Sequence, residues 1–245
     1  MTEAEPADLL GFYASKNEST RLYAREGRVE FLRTQAILRA VLHTPSRILD
    51  VGGADGVHAE WLIQDGHDVE IVDLVPVHVE QARARGFTAR AGDARALPWE
   101  DDTFDVVLLL GPLYHLIAAP DRALSLAEAR RVLRPNGLMA AAAVTRIAVA
   151  LDYLRKGRLG TVGAQAMAAR IVANGHDDTG FGAGIFYFHT VGELREEVVD
   201  AGFVDVRIRG WKARRGRSSI RRVQPTIRLS LRWQPLRRWP TATTH

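Results

Sequence analysis

With 245 residues, 47% of them apolar, the chain has material for one large core, so a single α/β domain with appendages fits better than two full domains. The absence of cysteine rules out disulfides, thiolate zinc sites, iron–sulfur clusters and a thiol nucleophile. The net charge of +4 is unevenly spread: residues 206–245 hold 12 basic side chains and no acid, which leaves residues 1–205 with 21 basic and 29 acidic groups. No apolar run approaches the roughly 18 residues of a membrane span and the start shows no signal-peptide pattern, so a cytoplasmic protein without a membrane partner is expected.

Taken in order, residues 1–45 read as a helical cap. Val29, Leu32, Ala36, Ile37, Ala40 and Val41 stand at helical spacing between Arg28 and His43. Upstream, Phe12, Tyr13, Leu22 and Tyr23 lie among polar residues and suit either a plain N-terminal cap or a lid over a ligand. From Ser46 strands and helices alternate. The first strand ends at Val51, a helix covers about Gly56–Asp65, and the second strand ends at Asp73. A helix then runs from Pro76, a residue suited to a first helical turn, to a stop at Gly86. Phe87–Ala91 is a weak third strand. Thr103–Leu110 is almost unbroken apolar sequence, as a strand covered on both faces should be. Asp121–Leu133 reads as helix, Arg134–Gly137 as a turn and Leu138–Val144 as the fifth strand.

After Thr145 the alternation breaks. Ile147–Leu154 and Ala164–Val172 read as two helices within a cover inserted over about 146–188, and Gly180–Gly184 is rich in glycine. Insertions at a strand's end sit over the ligand crevice, so this stretch is the expected substrate cover. Val191–Ala201 reads as helix and Phe203–Ile208 as a sixth strand, closing a main domain at residues 46–210. In the basic tail, 211–245, alternation of Ile227, Leu229, Leu231 and Trp233 suits a last antiparallel strand over 226–233. The predicted architecture is a doubly wound, mostly parallel, seven-stranded Rossmann-like sheet.

Two features point to a ligand. Ile48–Val51 is an apolar strand that breaks at Gly52, Gly53 and Gly56 into a turn whose backbone N–H groups are open to approach at a helix N-terminus. Asp73, 21 residues after Gly52, ends the second strand in a carboxylate able to accept both hydroxyl hydrogens of a ribose. Together they indicate an adenosine-containing cofactor.

These residues resemble the class I S-adenosylmethionine-dependent methyltransferases, in the branch that methylates small molecules. The resemblance covers about 40–210. Ile48–Gly56 matches the first motif, with Ala54 where a glycine commonly stands. Asp73 matches the acid after the second strand, and Gly92-Asp93-Ala94 the adenine contact. Thr103–Val107 leads the fourth strand, and Val132–Gly137 is similar to the turn before the fifth. The resemblance implies S-adenosyl-L-methionine as cofactor. Asp50, Gly52, Gly53, Ala54, Gly56, Asp73, Leu74, Asp93, Ala94, Leu110 and Gly111 would then hold it. The Gly52–Gly56 backbone would meet the methionine portion, Asp73 the ribose and Asp93 the adenine amino group. Asp50 and Asp93 equally suit the capping of helices or turns.

Methyl transfer from a sulfonium rests largely on orientation, and a base matters only for an acceptor that arrives protonated. His115 and His189 are the candidate catalytic bases; Tyr13, Tyr114 and Tyr187 are candidates to line the substrate pocket. Enzymes that methylate adenine amines in nucleic acids place Asn, Asp or Ser before Pro-Pro-Tyr, whereas here Gly111 precedes Pro112-Leu113-Tyr114. Leu108–Leu113 carries no acid, so metal dependence is not expected. A nicotinamide-dependent oxidoreductase sharing the glycine turn, a nucleic-acid binder or RNA-modifying methyltransferase using the basic tail, and a catalytically silent cofactor sensor are the competing readings. Neither the acceptor nor the oligomeric state is specified by sequence.

Overall fold

The computed structural model describes residues 10–11, 13, 17–25, 27–161, 163–177, 186–210 and 226–232. Phe12, Gly180–Gly184, Trp233 and the tail stretches 211–225 and 233–245 lie outside the described residues. The first helices whose bounds are described are α1 (Glu18–Tyr23) and α2 (Arg28–Arg39). Asn17 caps α1 by accepting the Thr20 N–H at 2.8 Å. The second helix stops short of the expected His43, before Pro45, which disfavours helical backbone in the residue preceding it.

The main domain alternates β1 (Arg47–Val51), α3 (Val57–Gln64), β2 (Asp68–Asp73), α4 (Pro76–Ala84), β3 (Thr88–Ala91) and β4 (Phe104–Leu109). It continues through α5 (Ala119–Val132) and β5 (Leu133–Val144). The five strands are parallel, and the order β3-β2-β1-β4-β5 reverses direction between β1 and β4. In an open α/β sheet the crevice at the carboxyl ends of such a pair is where ligands bind.

Alternate residues of one strand feed two cores. Leu49 and Val51 pack with Val107, Leu109 and the α5 residues Leu126, Ala129 and Val132, while Ile48 packs with Val106, Leu108, Ile71 and helix residues Trp61, Leu62 and Val79. Burial on both faces is why these strands are near-continuous apolar runs. The expected turn at Arg134–Gly137 falls inside β5. Leu133 pairs with Phe104 and Leu138 with Val106, so five steps of β5 oppose two of β4, and Asn136 at φ 65° carries the excursion.

Beyond β5 lie α6 (Arg146–Arg155), α7 (Ala164–Asn174), and two-residue strands β6 (His176–Asp177) and β7 (Phe186–Tyr187). The chain then forms α8 (Val191–Asp200) and β8 (Val204–Gly210), with β9 (Thr226–Arg232) between β5 and β8 and antiparallel to both. Leu194, Val198 and Phe203 add α8 and its exit to the α5 side of the core. Among the described residues no helix is long and apolar enough to cross a membrane.

Candidate functional site

The turn after β1 is shaped by contacts that need glycine. Gly52 takes φ +69° while its N–H donates to the Val72 carbonyl at 2.7 Å. At Gly53, a Cβ would stand 2.9 Å from the Asp50 carboxyl carbon. Asp73 holds this turn in place. Its Oδ2 accepts the Ala54 N–H at 2.9 Å and its Oδ1 the Val75 N–H at 2.8 Å, so one buried carboxylate ties the loop after β1 to the end of β2. Charge-assisted bonds of this kind are roughly twice as strong as neutral ones.

A cavity opens at the carboxyl ends of β1, β2 and β4. Gly52, Gly53, Ala54, Asp73 and Leu74 line one side, and Asp93, Ala94, Leu110 and Gly111 another, with the buried Asp50 at its base. Gly56 does not line it. Its place is to turn the chain into α3 at φ +85°, where a Cβ would meet the Phe87 ring at 2.4 Å. Asp93 is engaged already: Arg95 grips it through Nη2 (2.6 Å) and Nε (3.1 Å), and its Oδ1 accepts the Arg95 N–H at 2.8 Å. Burial works to raise the Asp93 pKa, but the Arg95 bonds outweigh it and hold the carboxyl below its ordinary range.

The cap supplies the remaining wall. Tyr13, Glu18, Arg21 and Leu22, with Glu30 from α2, line the same cavity as the glycine turn. The Tyr13 hydroxyl lies 2.8 Å from His115 Nε2, and its ring meets His78 edge-on at 5.7 Å. Burial pushes the Tyr13 phenol far above its usual pKa, with Tyr114 and Glu18 adding to the effect, so it stands as a neutral hydroxyl able to donate. Arg21 is the one lysine or arginine among these wall residues, and it is bonded to Glu18 and to Glu30, the latter at 3.1 Å. Arg85 anchors the cap from outside the cavity, donating to Ser19 Oγ (2.9 Å), the Asp55 carbonyl (2.8 Å) and Glu60 (2.9 Å). Glu18, Arg21, His58 and His78 carry no sequence pattern that places them here. The i,i+3 pairing of Glu18 with Arg21 marks an exposed helix face as readily as a cavity wall.

Residues 48–137, which supply the glycine turn, Asp73, Asp93 and His115, match the family model of the methyltransferase domain. Over that stretch the chain resembles the class I S-adenosylmethionine-dependent methyltransferases. It is 34% identical over 116 residues to 2-methyl-6-phytyl-1,4-hydroquinone methyltransferase 2, chloroplastic, of Oryza sativa subsp. japonica, covering 44% of this chain and 32% of that protein. It is likewise 34% identical over 109 residues to 27-O-demethylrifamycin SV methyltransferase of Amycolatopsis mediterranei, covering 40% of this chain and 39% of that one. The chain thus spans 32% and 39% of the length of these curated relatives. Two solved structures share the fold. The 1,6-didemethyltoxoflavin-N1-methyltransferase of Burkholderia thailandensis, holding 1,6-didemethyltoxoflavin and S-adenosylhomocysteine, aligns with TM-score 0.63 and 20% identity over 96% of this chain and 93% of that one. The PH0226 protein of Pyrococcus horikoshii aligns with TM-score 0.68 and 17% identity over 91% of this chain and 99% of its own.

The candidate catalytic and substrate residues divide. His115, Tyr13 and Tyr114 line the cavity, whereas His189 and Tyr187 do not. His189 is fully buried and its Nε2 donates to Glu197 Oε2 at 3.1 Å. Its Nδ1 is buried without a hydrogen-bond partner among the described residues. Glu197 Oε1 accepts from Arg122 Nη2 at 2.7 Å, and the Arg122 guanidinium lies 3.7 Å from the centre of the Tyr187 ring. Arg122 also donates to the carbonyls of Leu116 (3.0 Å) and Ile117 (2.6 Å). The structure places His189 and Tyr187 outside the residues that line the cavity, in a buried polar cluster that joins α5, α8 and the end of the cover. Burial raises the Glu197 pKa, but the bonds from His189 and Arg122 outweigh it and leave the pKa lowered.

Proposed function

We propose that the protein transfers the methyl group of S-adenosylmethionine to an O, N or C nucleophile of a small molecule. The observation that carries this reading is the junction of Asp73 with the glycine turn at the cavity: each Asp73 oxygen accepts one backbone N–H, and a carboxylate has about four acceptor positions, which leaves capacity for a ribose. On this reading the Gly52–Gly56 turn faces the methionine portion, and Asp93, steadied by Arg95, faces the adenine amine. The charge of the wall suits the same ligand, since Glu18, Glu30, Asp50, Asp73 and Asp93 outnumber the arginines paired with them, Arg21 and Arg95, and a sulfonium with its ammonium group is cationic.

When bound, S-adenosylmethionine supplies an electrophilic methyl group. The chain's share is to orient the acceptor and exclude water, which is worth on the order of 7 to 11 kcal/mol in ideal cases. His115 is packed against Tyr114 (4.6 Å) and Phe186 (4.9 Å), and in the tautomer whose Nε2–H donates to the Tyr13 oxygen its Nδ1 is the basic nitrogen, able to receive a proton from an acceptor that arrives protonated. Calorimetry with S-adenosylmethionine and with a nicotinamide dinucleotide separates this reading from the oxidoreductase one. Binding of the dinucleotide alone overturns it. Transfer of label from methyl-labelled cofactor to small-molecule extracts, with none to RNA, identifies the acceptor class.

A further inference from the structure

The buried charged cluster of Arg122, Glu197 and His189 stands outside the cavity wall, yet it is tied to the segment that bears His115 and to the stretch that packs behind it. The segment after β4 carries Tyr114, His115 and Leu116, all of which line the cavity. Its backbone donors turn inward, since the N–H groups of His115 (2.9 Å) and Leu116 (3.1 Å) both donate to the Pro112 carbonyl. The carbonyls of Leu116 and Ile117 are met instead by Nη1 of Arg122, at 3.0 Å and 2.6 Å. Arg122 stands on α5, is buried and does not line the cavity.

The other edge of the same guanidinium binds Glu197 on α8, through Nε (2.9 Å) and Nη2 (2.7 Å). The second Glu197 oxygen accepts from His189 Nε2 at 3.1 Å. His189 is pinned beside the end of β5 as well: its N–H donates to the Val144 carbonyl (2.9 Å) and its carbonyl accepts the Arg146 N–H (3.1 Å). Three residues before it, Phe186 packs against His115 at 4.9 Å and Tyr114 at 6.0 Å. The segment of His115 and the stretch of Phe186 are therefore fixed to one another by a single run of charge-assisted hydrogen bonds. Such support matters for chemistry, because a misplacement of about 1 Å can cost on the order of 100-fold in rate.

We infer that Arg122 is a positioning residue for methyl transfer, holding His115 against Phe186 through the Leu116 and Ile117 carbonyls on one side and through Glu197 and His189 on the other. The inference deepens the methyl-transfer reading, in which His115 is the base for a protonated acceptor. Arginine suits this place. Its planar fork offers N–H donors in fixed directions, and here all three nitrogens are engaged, in four bonds shared between the 116–117 carbonyls and Glu197. A lysine keeps the positive charge beside Glu197 but is a compact point donor, so it cannot hold both partners in the same geometry. None of Arg122, Glu197 and His189 lines the cavity, so their effect on His115 passes through its position. A solely stabilising role would lower the melting temperature and leave His115 unaltered.

The test reads His115 directly, by proton–nitrogen correlation spectra of the full chain with isotope-labelled histidine and with His115 assigned from a His115→Gln sample. The parent should show one neutral tautomer at His115, fixed by the Tyr13 oxygen at 2.8 Å, and Arg122→Lys a mixture of both. His189→Leu leaves the Arg122–Glu197 pair in place and cuts only the link to the Phe186 stretch. It should shift the His115 ring protons through the altered Phe186 ring current while keeping the tautomer, and it decides alone if Arg122→Lys does not fold. In label transfer from methyl-labelled S-adenosylmethionine to small-molecule extracts, Arg122→Lys should be about ten-fold slower, with affinity for S-adenosylhomocysteine within about two-fold of the parent. Mixed tautomers in the parent, parent-like His115 signals in either folded variant, or undiminished transfer by Arg122→Lys would each overturn the proposal. A parent that binds no S-adenosylhomocysteine would remove the methyl-transfer reading instead, and the spectra would still decide whether the cluster positions His115.

Discussion

Asp73 does two things with one carboxylate: it fixes the glycine turn through the Ala54 and Val75 N–H groups and, on the proposed reading, receives the ribose. Asp73→Ala should therefore weaken S-adenosylmethionine binding by about one to three orders of magnitude, because charge-assisted bonds are worth roughly 1.5 to 3 kcal/mol each. It should also lower the melting temperature through the lost anchorage. Calorimetry on the folded variant checks this, and parent-like affinity would remove Asp73 from the ribose. Glu197 offers a contrasting test of stability. Its folded pKa lies below the unfolded one, so it contributes stability that is fully present above the ordinary carboxylate range and lost as pH falls through the folded value. Glu197→Gln leaves the buried Arg122 without its anion and should cost about 3 kcal/mol near neutrality. The gap in melting temperature between parent and variant should be constant down to about pH 5 and narrow below about pH 4. A gap independent of pH would mean that the charge on Glu197 contributes nothing. At this scale the sequence displays Asp73 because its position at a strand end is a local property. It conceals the partner of His189, since Glu197 reaches it only after α8 has formed and Arg122 comes from α5.

Among the elements, β1, β2 and β4 are legible because burial on both faces writes them as apolar runs, and the glycine turn because its conformation admits few other residues. The strain in that turn is open to measurement. Gly56 and Gly86 have nearly the same backbone, φ +85° and +87°, but a Cβ at Gly56 would stand 2.4 Å from the Phe87 ring and one at Gly86 would meet nothing within 4 Å. Gly86→Ala should cost only the left-handed penalty, about 1 to 2 kcal/mol. Gly56→Ala should cost that and a further 1 to 3 kcal/mol or so for displacing Phe87. Urea midpoints separate the two, and equal losses would show that the Phe87 ring yields freely. The Arg134–Gly137 stretch is harder to read. Its residues spell a turn, and the backbone makes one, but neighbouring β4 keeps it within the strand as a bulge.

For the molecule as a whole, the open alternative of cap or lid becomes a question of coupling. Tyr13, Glu18, Arg21 and Leu22 form part of the cavity wall, yet among the described residues the hold of this segment on the main domain runs through few links: Tyr13 to His115 at 2.8 Å, Leu22 in the core, Tyr23 to Glu60 at 2.6 Å, Ser19 to Asp55 at 3.3 Å and Arg85 to Ser19 at 2.9 Å. This arrangement was invisible in the sequence because the polar N-terminal stretch has no periodicity of its own and is ordered by partners 36 to 102 positions away. If the wall closes on the cofactor, anchoring the cap and binding the cofactor must favour each other by the same factor. Arg85 does not line the cavity, so Arg85→Ala tests the coupling without touching the ligand. The expected outcome is about a ten-fold loss in S-adenosylmethionine affinity, within the range of 1 to 3 kcal/mol for such couplings. Proteolysis of the chain before Arg28 should be faster in the variant, and cofactor should slow that cleavage in the parent. Unchanged affinity together with accelerated cleavage would mean that the segment covers the domain without gripping the ligand, and that Tyr13 braces His115 only as a passive neighbour.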